Sequence, residues 1–294
     1  MQGIWKTKIK HIQRDKFKQI AQTMRVLNQK EFTLFKEYIY EHLGINLGAQ
    51  KIYLVQARLA KRVKQLNLES FKAYYDYLVA DRSGEEFSYL SSLISTNVTS
   101  FFREKKQWEF WKANLHTMFE RKNKKLRIWS AACSTGEEPY SIAMFLDENI
   151  PNIATWDIKI LATDVSPRVL KLAQAGYYSE KACAGMDSTY VKRYFSYDKQ
   201  TQMYHVDERL KKMITFREYN LVTGNFKLFK EGMFDIIFCR NVMIYFDKPT
   251  QQTLVERFRS LLCKEGYLFI GSSEALTDIK QGFKSKSASI YQKV

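Results

Sequence analysis

The sequence predicts an α/β protein: a doubly wound, mostly parallel sheet preceded by an all-α N-terminal domain. Three observations carry this. Between residues 28 and 80 apolar residues recur every three or four positions. Beyond about residue 95, short apolar runs alternate with helical patterns. Each of those runs ends in small or polar residues, as strands do where they deliver the chain to a ligand. A length of 294 residues accommodates two domains of about 150 residues each. A hydrophobic content of 45% is ample for their cores.

Residues 1–27 read as a basic amphipathic arm. Residues 1–30 carry eight Lys or Arg against one acid, Asp15, and Ile9, Ile12, Ile20, Met24 and Leu27 are spaced only loosely as in a helix. The helical domain is expected over 28–80. "NQKEFTLFKEYIYEHLG" offers Asn28 as N-cap with Glu31 three residues on, and Gly44 as a stop. "QKIYLVQARLAKRVKQLN" places Ile52, Val55, Leu59, Val63 and Leu66 on one buried stripe. Lys51, Arg58 and Arg62 fall in one sector beside it, with Lys61 further round. Such residues form either a solvated basic face or a docking face for an acidic helix. "SFKAYYDYLVAD" closes the unit, and 81–94, opening with "DRSGEEF", reads as a linker. The second domain then spans 95–294. Its strands are "KLRIWSA", "DIKILATDVS", "MITFREYNL", "FDIIFCRN" and "GYLFIGSS". Its helices are "PYSIAMFLDENI", "SPRVLKLAQAG" and "PTQQTLVERFRSLLCKEG".

The tight loop in "WSAACSTGEEPYS" follows the first of these strands and precedes a helix. A dinucleotide loop there uses several glycines and a bare helix N-terminus to hold phosphates. This one has a single glycine, Gly136, followed by Glu137 and Glu138. Carboxylates suit a helix start, but they also repel phosphate and attract cations. S-adenosylmethionine, with its ammonium and sulfonium and no phosphate, is the better guest. Asp164, 28 residues after Gly136, stands near the end of the next strand, where an acid can take both ribose hydroxyls. Its alternative role is to cap the helix beginning "SPRVL", which Ser166 can also do.

Composition narrows the classes further. Nothing reads as a signal peptide, and no apolar run approaches the roughly 18 residues that span a bilayer. Cys133, Cys183, Cys239 and Cys263 are widely spaced, and His11, His42, His116 and His205 lie far apart. That argues against a zinc site or a disulfide framework and suits reduced thiols in a cytoplasm. The formal charge of +16 suits nucleic acid, an anionic membrane surface or an acidic protein, and does not choose among them.

"TNVTSFFRE", "WSAACSTGEEPYSIA", "ATDVS", "YNL" and "FDIIFCRNVMIYFD" resemble, in order, the CheR-type chemoreceptor glutamate methyltransferases. The resemblance runs from about residue 28 to the C-terminus. It implies a Rossmann-like methyltransferase sheet with a small β-subdomain, S-adenosylmethionine as cofactor and S-adenosylhomocysteine as product. Carried over by position, Asn97, Thr99 and Arg103 lie near the methionine end of the cofactor. Glu137 faces its cationic part and Asp164 its ribose. Asn220 and the backbone of Leu221 read the adenine, and Arg240 and Asn241 line the cleft. Tyr245 points its hydroxyl at the reacting groups. Arg103 and Tyr245 are the catalytic candidates, as orienting groups rather than proton carriers. Taken singly, Tyr245 also reads as a core aromatic, Arg103 as a surface cation and Asn220 as a turn residue.

The implied reaction transfers a methyl group to a receptor glutamate. That side chain, with an ordinary pKa of about 4.3, is already ionised at neutral pH, so neither a strong base nor a metal is required. The implied partners are cytoplasmic helices of membrane-embedded chemoreceptors, with recruitment to their clusters and no nucleic acid. Lys51, Arg58, Lys61 and Arg62 would then form the substrate-docking face. One departure stands out. Some members carry a glycine-rich turn that grips a receptor's C-terminal peptide, whereas "YFSYDKQTQMYHV" is shorter and lacks glycine, which argues against such tethering. The competing readings are a non-catalytic module that senses the cofactor or scaffolds receptors, a nucleic-acid methyltransferase and an NAD-dependent oxidoreductase. Against the second, "NVMIYF" has no proline where base-amino methyltransferases often carry an Asn/Asp-Pro-Pro-aromatic motif. The loop chemistry disfavours the third.

Overall fold

The computed structural model describes residues 26–119, 123–276 and 282–294. The basic arm expected at 1–27 lies almost wholly outside the described residues. The described chain divides into two compact units, one of residues 26–40 and 47–94 and one of 41–46 and the rest. No helix among the described residues is long and apolar enough to cross a membrane.

The first unit is helical: α1 (Gln29–Leu43) as far as residue 40, α2 (Ile52–Gln65), α3 (Phe71–Ala80) and α4 (Glu85–Ile94). At the start of α1, Asn28 Oδ1 accepts from the Glu31 N–H at 3.0 Å and the Glu31 carboxylate accepts from the Asn28 N–H at 3.2 Å. Two otherwise unpaired donors are thus satisfied reciprocally. The helix stops before Gly44, whose φ of 68° is one that glycine adopts without strain. Phe32, Phe35, Ile39, Val55, Leu59, Tyr74, Leu78 and Leu90 are buried. Within the expected stripe of α2 only Val55 and Leu59 are buried, while Ile52, Val63 and Leu66 are half-buried.

Residues 81–94, expected as a linker, contain α4 instead. The polar run at its start is a tight turn: Asp81 accepts from the N–H groups of Ser83 at 2.9 Å and Glu86 at 2.8 Å. Beyond the turn, Glu86, Leu90 and Ile94 point inward at helical spacing. Glu86 tolerates burial because Tyr74 donates to it at 2.8 Å and Arg62 pairs with it.

The second unit comprises α5 (Lys105–Phe119), β1 (Lys125–Ser130), α6 (Glu137–Asn149), β2 (Asp157–Asp164), α7 (Pro167–Ala175), β3 (Tyr177–Tyr178), α8 (Glu180–Cys183), α9 (Ser188–Tyr194), β4 (Phe195–Asp198), β5 (Met203–Val206), α10 (Glu208–Lys211), β6 (Ile214–Glu218), β7 (Phe234–Cys239), α11 (Lys248–Leu261), β8 (Leu262–Ile270), β9 (Phe283–Ser287) and β10 (Ile290–Lys293). The main sheet has the order β6-β2-β1-β7-β8-β10-β9. It is parallel from β6 to β8, and β10 runs antiparallel to both its neighbours. From β1 the chain winds outward through β2 and β6, then returns to place β7 on the other side. The crevice at that switch is where open α/β sheets hold ligands. Register keeps the carboxyl ends level: Ser130 of β1 pairs with Ala162 of β2 and Phe238 of β7.

β1 and β7 are buried toward their carboxyl ends, at Ile128–Ser130 and Ile236–Cys239, because both faces of the sheet are covered there. On one face α5 delivers Trp108 and Trp111 to Phe145, Phe238 and Phe269, with Trp111 and Phe145 ring centroids 4.4 Å apart. Three sequence expectations change here. The helix α5 was not foreseen, nor were β9 and β10. The helix read through Gly266 ends at Leu261, because Leu262 turns extended and begins β8, with Leu262 opposite Phe234 of β7. β3, β5 and β4 form a separate three-stranded sheet. Its hairpin turns without glycine: Asp198 holds the Gln200 N–H at 2.8 Å and the Thr201 hydroxyl at 2.8 Å, and Gln202 takes φ 56°.

Candidate active site

The loop after β1 is fixed by main-chain bonds to its neighbours. Ala131 N donates to Phe238 O at 2.8 Å and Cys133 N to Thr163 O at 2.9 Å. It closes on Gly136, at φ 97°, where a Cβ would lie 2.8 Å from the Tyr178 hydroxyl and 2.9 Å from Ala173 Cβ. No other residue fits that bend.

Two buried carboxylates follow from this geometry. Glu137 opens α6 and accepts from the Thr135 hydroxyl at 2.7 Å. Asp164, at the end of β2, accepts from the Ser134 N–H at 2.9 Å and the Ser166 N–H at 3.0 Å. Ser166 makes no side-chain capping bond of its own. Burial pushes both carboxyls above their ordinary range, in Asp164 despite its two N–H donors. Among the described residues neither is paired with a Lys, Arg or His. An unpaired buried charge is unfavourable, so this donor set fits a ligand that brings positive charge, as the ammonium and sulfonium of S-adenosylmethionine do.

The neighbouring carboxylates are arranged differently. Glu138, half-buried, accepts from Ser130 Oγ at 2.7 Å and pairs with Arg240 at 3.2 Å. Arg240, at the end of β7, reaches Glu104 at 3.3 Å and donates to the Arg103 carbonyl. One guanidinium therefore ties α6, β7 and the 101–104 loop together, a use that needs the planar fork of arginine. Burial raises the Glu104 carboxyl, but donors from Ser272, Arg240 and Asn241 outweigh it and hold the group below its ordinary range.

The 101–104 loop presents Arg103, whose guanidinium donates to Val98 O at 2.9 Å. Phe102 N donates to Ser141 Oγ at 2.9 Å, anchoring the loop on α6. The Asn97 carbonyl accepts from Ser134 Oγ at 3.5 Å, and Thr99 is half-buried. Asn241 follows Arg240, and Tyr245 ends a short turn, half-buried. The Tyr245 carbonyl accepts from Asn46 N at 2.9 Å. Phe102, Glu104, Ser134 and Asn241 have φ of 50°, 63°, 47° and 59°. Left-handed conformations at non-glycine residues are unfavourable by about 1–3 kcal/mol each and concentrate at functional sites.

Asn220 is engaged in its own turn. Its Oδ1 accepts from Val222 N at 2.8 Å and Thr223 N at 3.1 Å, and its Nδ2 donates to His42 O at 2.6 Å. Here the side chain shapes a turn, and Leu221 beside it is buried. Sequence reasoning also passed over Glu104 and Glu274, each of which accepts several bonds around Asn241. Glu274 closes the "GSSE" that follows β8, the signal that an acid stands at another strand end.

Residues 97–292 match the family model described as CheR methyltransferase, SAM binding domain, and residues 30–95 match CheR methyltransferase, all-alpha domain. The chain belongs to the CheR methyltransferase family. Its second unit is an S-adenosylmethionine-binding methyltransferase domain. It is 40% identical over 246 residues to a probable chemotaxis protein methyltransferase of Rhizobium etli, covering 81% of this chain and 90% of the relative. It is 38% identical to the chemotaxis protein methyltransferase of Borreliella burgdorferi, covering 85% of this chain and 89% of that one. The Escherichia coli chemotaxis protein methyltransferase is 35% identical, with 90% of this chain and 91% of the relative covered.

In the all-α domain of this CheR chain the four docking candidates separate. Lys51 and Lys61 are exposed. Arg58 donates to the Ile94 carbonyl. Arg62 Nε donates to Glu86 Oε1 at 2.9 Å, and its guanidinium lies 4.0 Å from the centre of the Tyr89 ring. Arg58 and Arg62 thus bind the helices of their own unit together, because each finds an acceptor on α4. Of the four residues of the expected docking face, Lys51 and Lys61 are therefore the exposed ones, and Arg58 and Arg62 are half-buried.

Proposed function

We propose that this methyltransferase esterifies glutamate side chains on the cytoplasmic helices of chemoreceptors. The observation that carries the reading is one site that combines two unpaired buried carboxylates, Glu137 and Asp164, with Arg103 on a braced loop. Bound S-adenosylmethionine supplies an electrophilic methyl group on its sulfonium. Glu137 meets the cationic methionyl part and Asp164 the ribose. Arg103 orients a carboxylate through charge-assisted hydrogen bonds, and Tyr245 directs its hydroxyl at the reacting groups. Asn97, Thr99, Asn241 and the Leu221 backbone complete the cofactor contacts. Because a glutamate acceptor is already ionised, alignment is the main task, and positioning supplies about 7–11 kcal/mol in well-oriented systems.

Lys51 and Lys61 remain as the exposed cations that steer an acidic receptor helix. The test is transfer of labelled methyl from S-adenosylmethionine to receptor-containing membranes, counted as alkali-labile groups. Labelling that Tyr245→Phe suppresses supports carboxyl methylation at this site. Label appearing only on nucleic acid, or cofactor binding without transfer to receptors, sinks the proposal.

A further inference from the structure

The loop Gly271–Glu274 that follows β8 touches both segments that carry the catalytic candidates. Glu274 is buried, and its Oε2 accepts from Asn241 N at 3.0 Å and from Gly271 N at 2.6 Å. Its Oε1 accepts from Ile244 N at 3.2 Å, one residue before Tyr245. The same loop grips the other segment. Glu104, one residue after Arg103, accepts from Ser272 N at 3.0 Å and Ser272 Oγ at 3.1 Å. Asn241 sits between the two acids, its main-chain N–H on Glu274 and its Nδ2 on Glu104 at 3.3 Å.

The fit leaves no slack. A Cβ on Gly271 would stand 2.5 Å from Asn241 Nδ2 and 2.8 Å from Glu274 Oε2. Glu104 and Asn241 both hold left-handed backbone at φ 63° and 59°, and such strain persists only where surrounding contacts over-determine it. A third tie is the Arg240 guanidinium, on Glu104 and on the Arg103 carbonyl.

We propose that Gly271–Glu274 is a clasp that fixes Arg103 and Tyr245 relative to one another, with Glu274 and Glu104 as its positioning residues. The inference rests on the reading of Arg103 and Tyr245 as the groups that orient the reactants. Glu274 acts through the N–H groups of Asn241 and Ile244. An amide at 274 retains one acceptor oxygen and turns an NH2 group toward N–H donors, which opens that side of the clasp.

Single-turnover transfer to receptor membranes at saturating cofactor tests this in the full chain, with cofactor affinity measured in parallel by calorimetry. Glu274→Gln is expected to slow transfer at least tenfold while changing cofactor affinity less than threefold. Glu274→Asp should restore part of the rate. In a Tyr245→Phe background, Glu274→Gln should cost less than twofold, since residues acting as a unit are not additive. Glu104→Gln is the second arm, expected to show the same pattern through Arg103, and it serves if Glu274→Gln does not fold. Equal fold-losses in both backgrounds, or near-normal rates in Glu274→Gln and Glu104→Gln beside an impaired Tyr245→Phe, overturn the clasp alone. A normal rate in Tyr245→Phe removes the tyrosine's role and the clasp with it.

Discussion

Replacing Glu137 by glutamine should move cofactor affinity and stability in opposite directions. The side chain is buried and among the described residues its side-chain partner is the Thr135 hydroxyl at 2.7 Å, which an amide oxygen can still accept from. The Glu137→Gln variant therefore keeps shape and loses charge. A hydrogen bond to a charged group contributes about 1.5–3 kcal/mol, so affinity for S-adenosylmethionine should fall roughly 10- to 150-fold. Stability of the ligand-free chain should be unchanged or higher, because burial disfavours the ionised form of Glu137. The sign follows from proton binding. Between the ordinary carboxylate value of about 4.3 and the raised one, the folded chain holds more protons than the unfolded chain, so this group's contribution falls as pH rises. The melting temperatures of wild type and variant should thus converge toward acid and separate toward neutrality. Cofactor affinity in the wild type should weaken as pH drops through the raised value, with less weakening in the variant. Calorimetry and thermal melts from about pH 4 to 8, a range that brackets the ordinary carboxylate value, measure all of this. Unchanged affinity, or a ligand-free Glu137→Gln chain that melts lower than wild type at neutral pH, would refute the argument.

Other expectations concern the frame. Gly136→Ala places a Cβ 2.8 Å from the Tyr178 hydroxyl at φ 97°, and the denaturant midpoint should report a loss of about 1–3 kcal/mol. Arg62→Met leaves Glu86 buried with Tyr74 as its remaining side-chain donor among the described residues, which should destabilise the helical unit by about 1.5–3 kcal/mol. Charge reversal at exposed Lys51 and Lys61 should instead change stability by less than about 0.5 kcal/mol, and slow receptor methylation most at low salt. Trp111→Ala empties a fully buried site against Phe145 and should lower stability by about 3–5 kcal/mol.

What the sequence disclosed depended on how local each signal was. The capping pair Asn28 and Glu31 lies three residues apart, and the helix it begins formed where expected. β1, β2 and β7 carry short apolar cores, Ile128–Trp129, Ile160–Ala162 and Ile236–Cys239, which buried parallel strands produce. The acidic character of the loop at Gly136 was visible because Glu137 adjoins it. The pairing of Arg62 was not legible because its acceptor, Glu86, stands 24 positions away on a helix that the polar "DRSGEE" disguised as a linker. The bond from Asn220 to the His42 carbonyl, 178 positions distant, was likewise beyond any spacing rule. Helix α5 was missed although Trp108, Trp111, Leu115 and Met118 recur at helical spacing. The bonds converging on Asn241 from Glu104 and Glu274 exist only once three segments have met, and no spacing rule announces them.

The position of β10 bears on how such a chain is made. It follows β8 and β9 in sequence yet lies between them in the sheet. As the chain folds, β8 therefore keeps one edge unpaired until β10 docks. An open, apolar edge on a nascent domain is a template for mispairing with other chains. Lys284 and Lys286, exposed on the outer strand β9, discourage that pairing along the finished rim, but they do nothing for β8 while it waits. A chain whose β10 has not yet docked should be at its most aggregation-prone, and a chaperone acting then would meet strand β8.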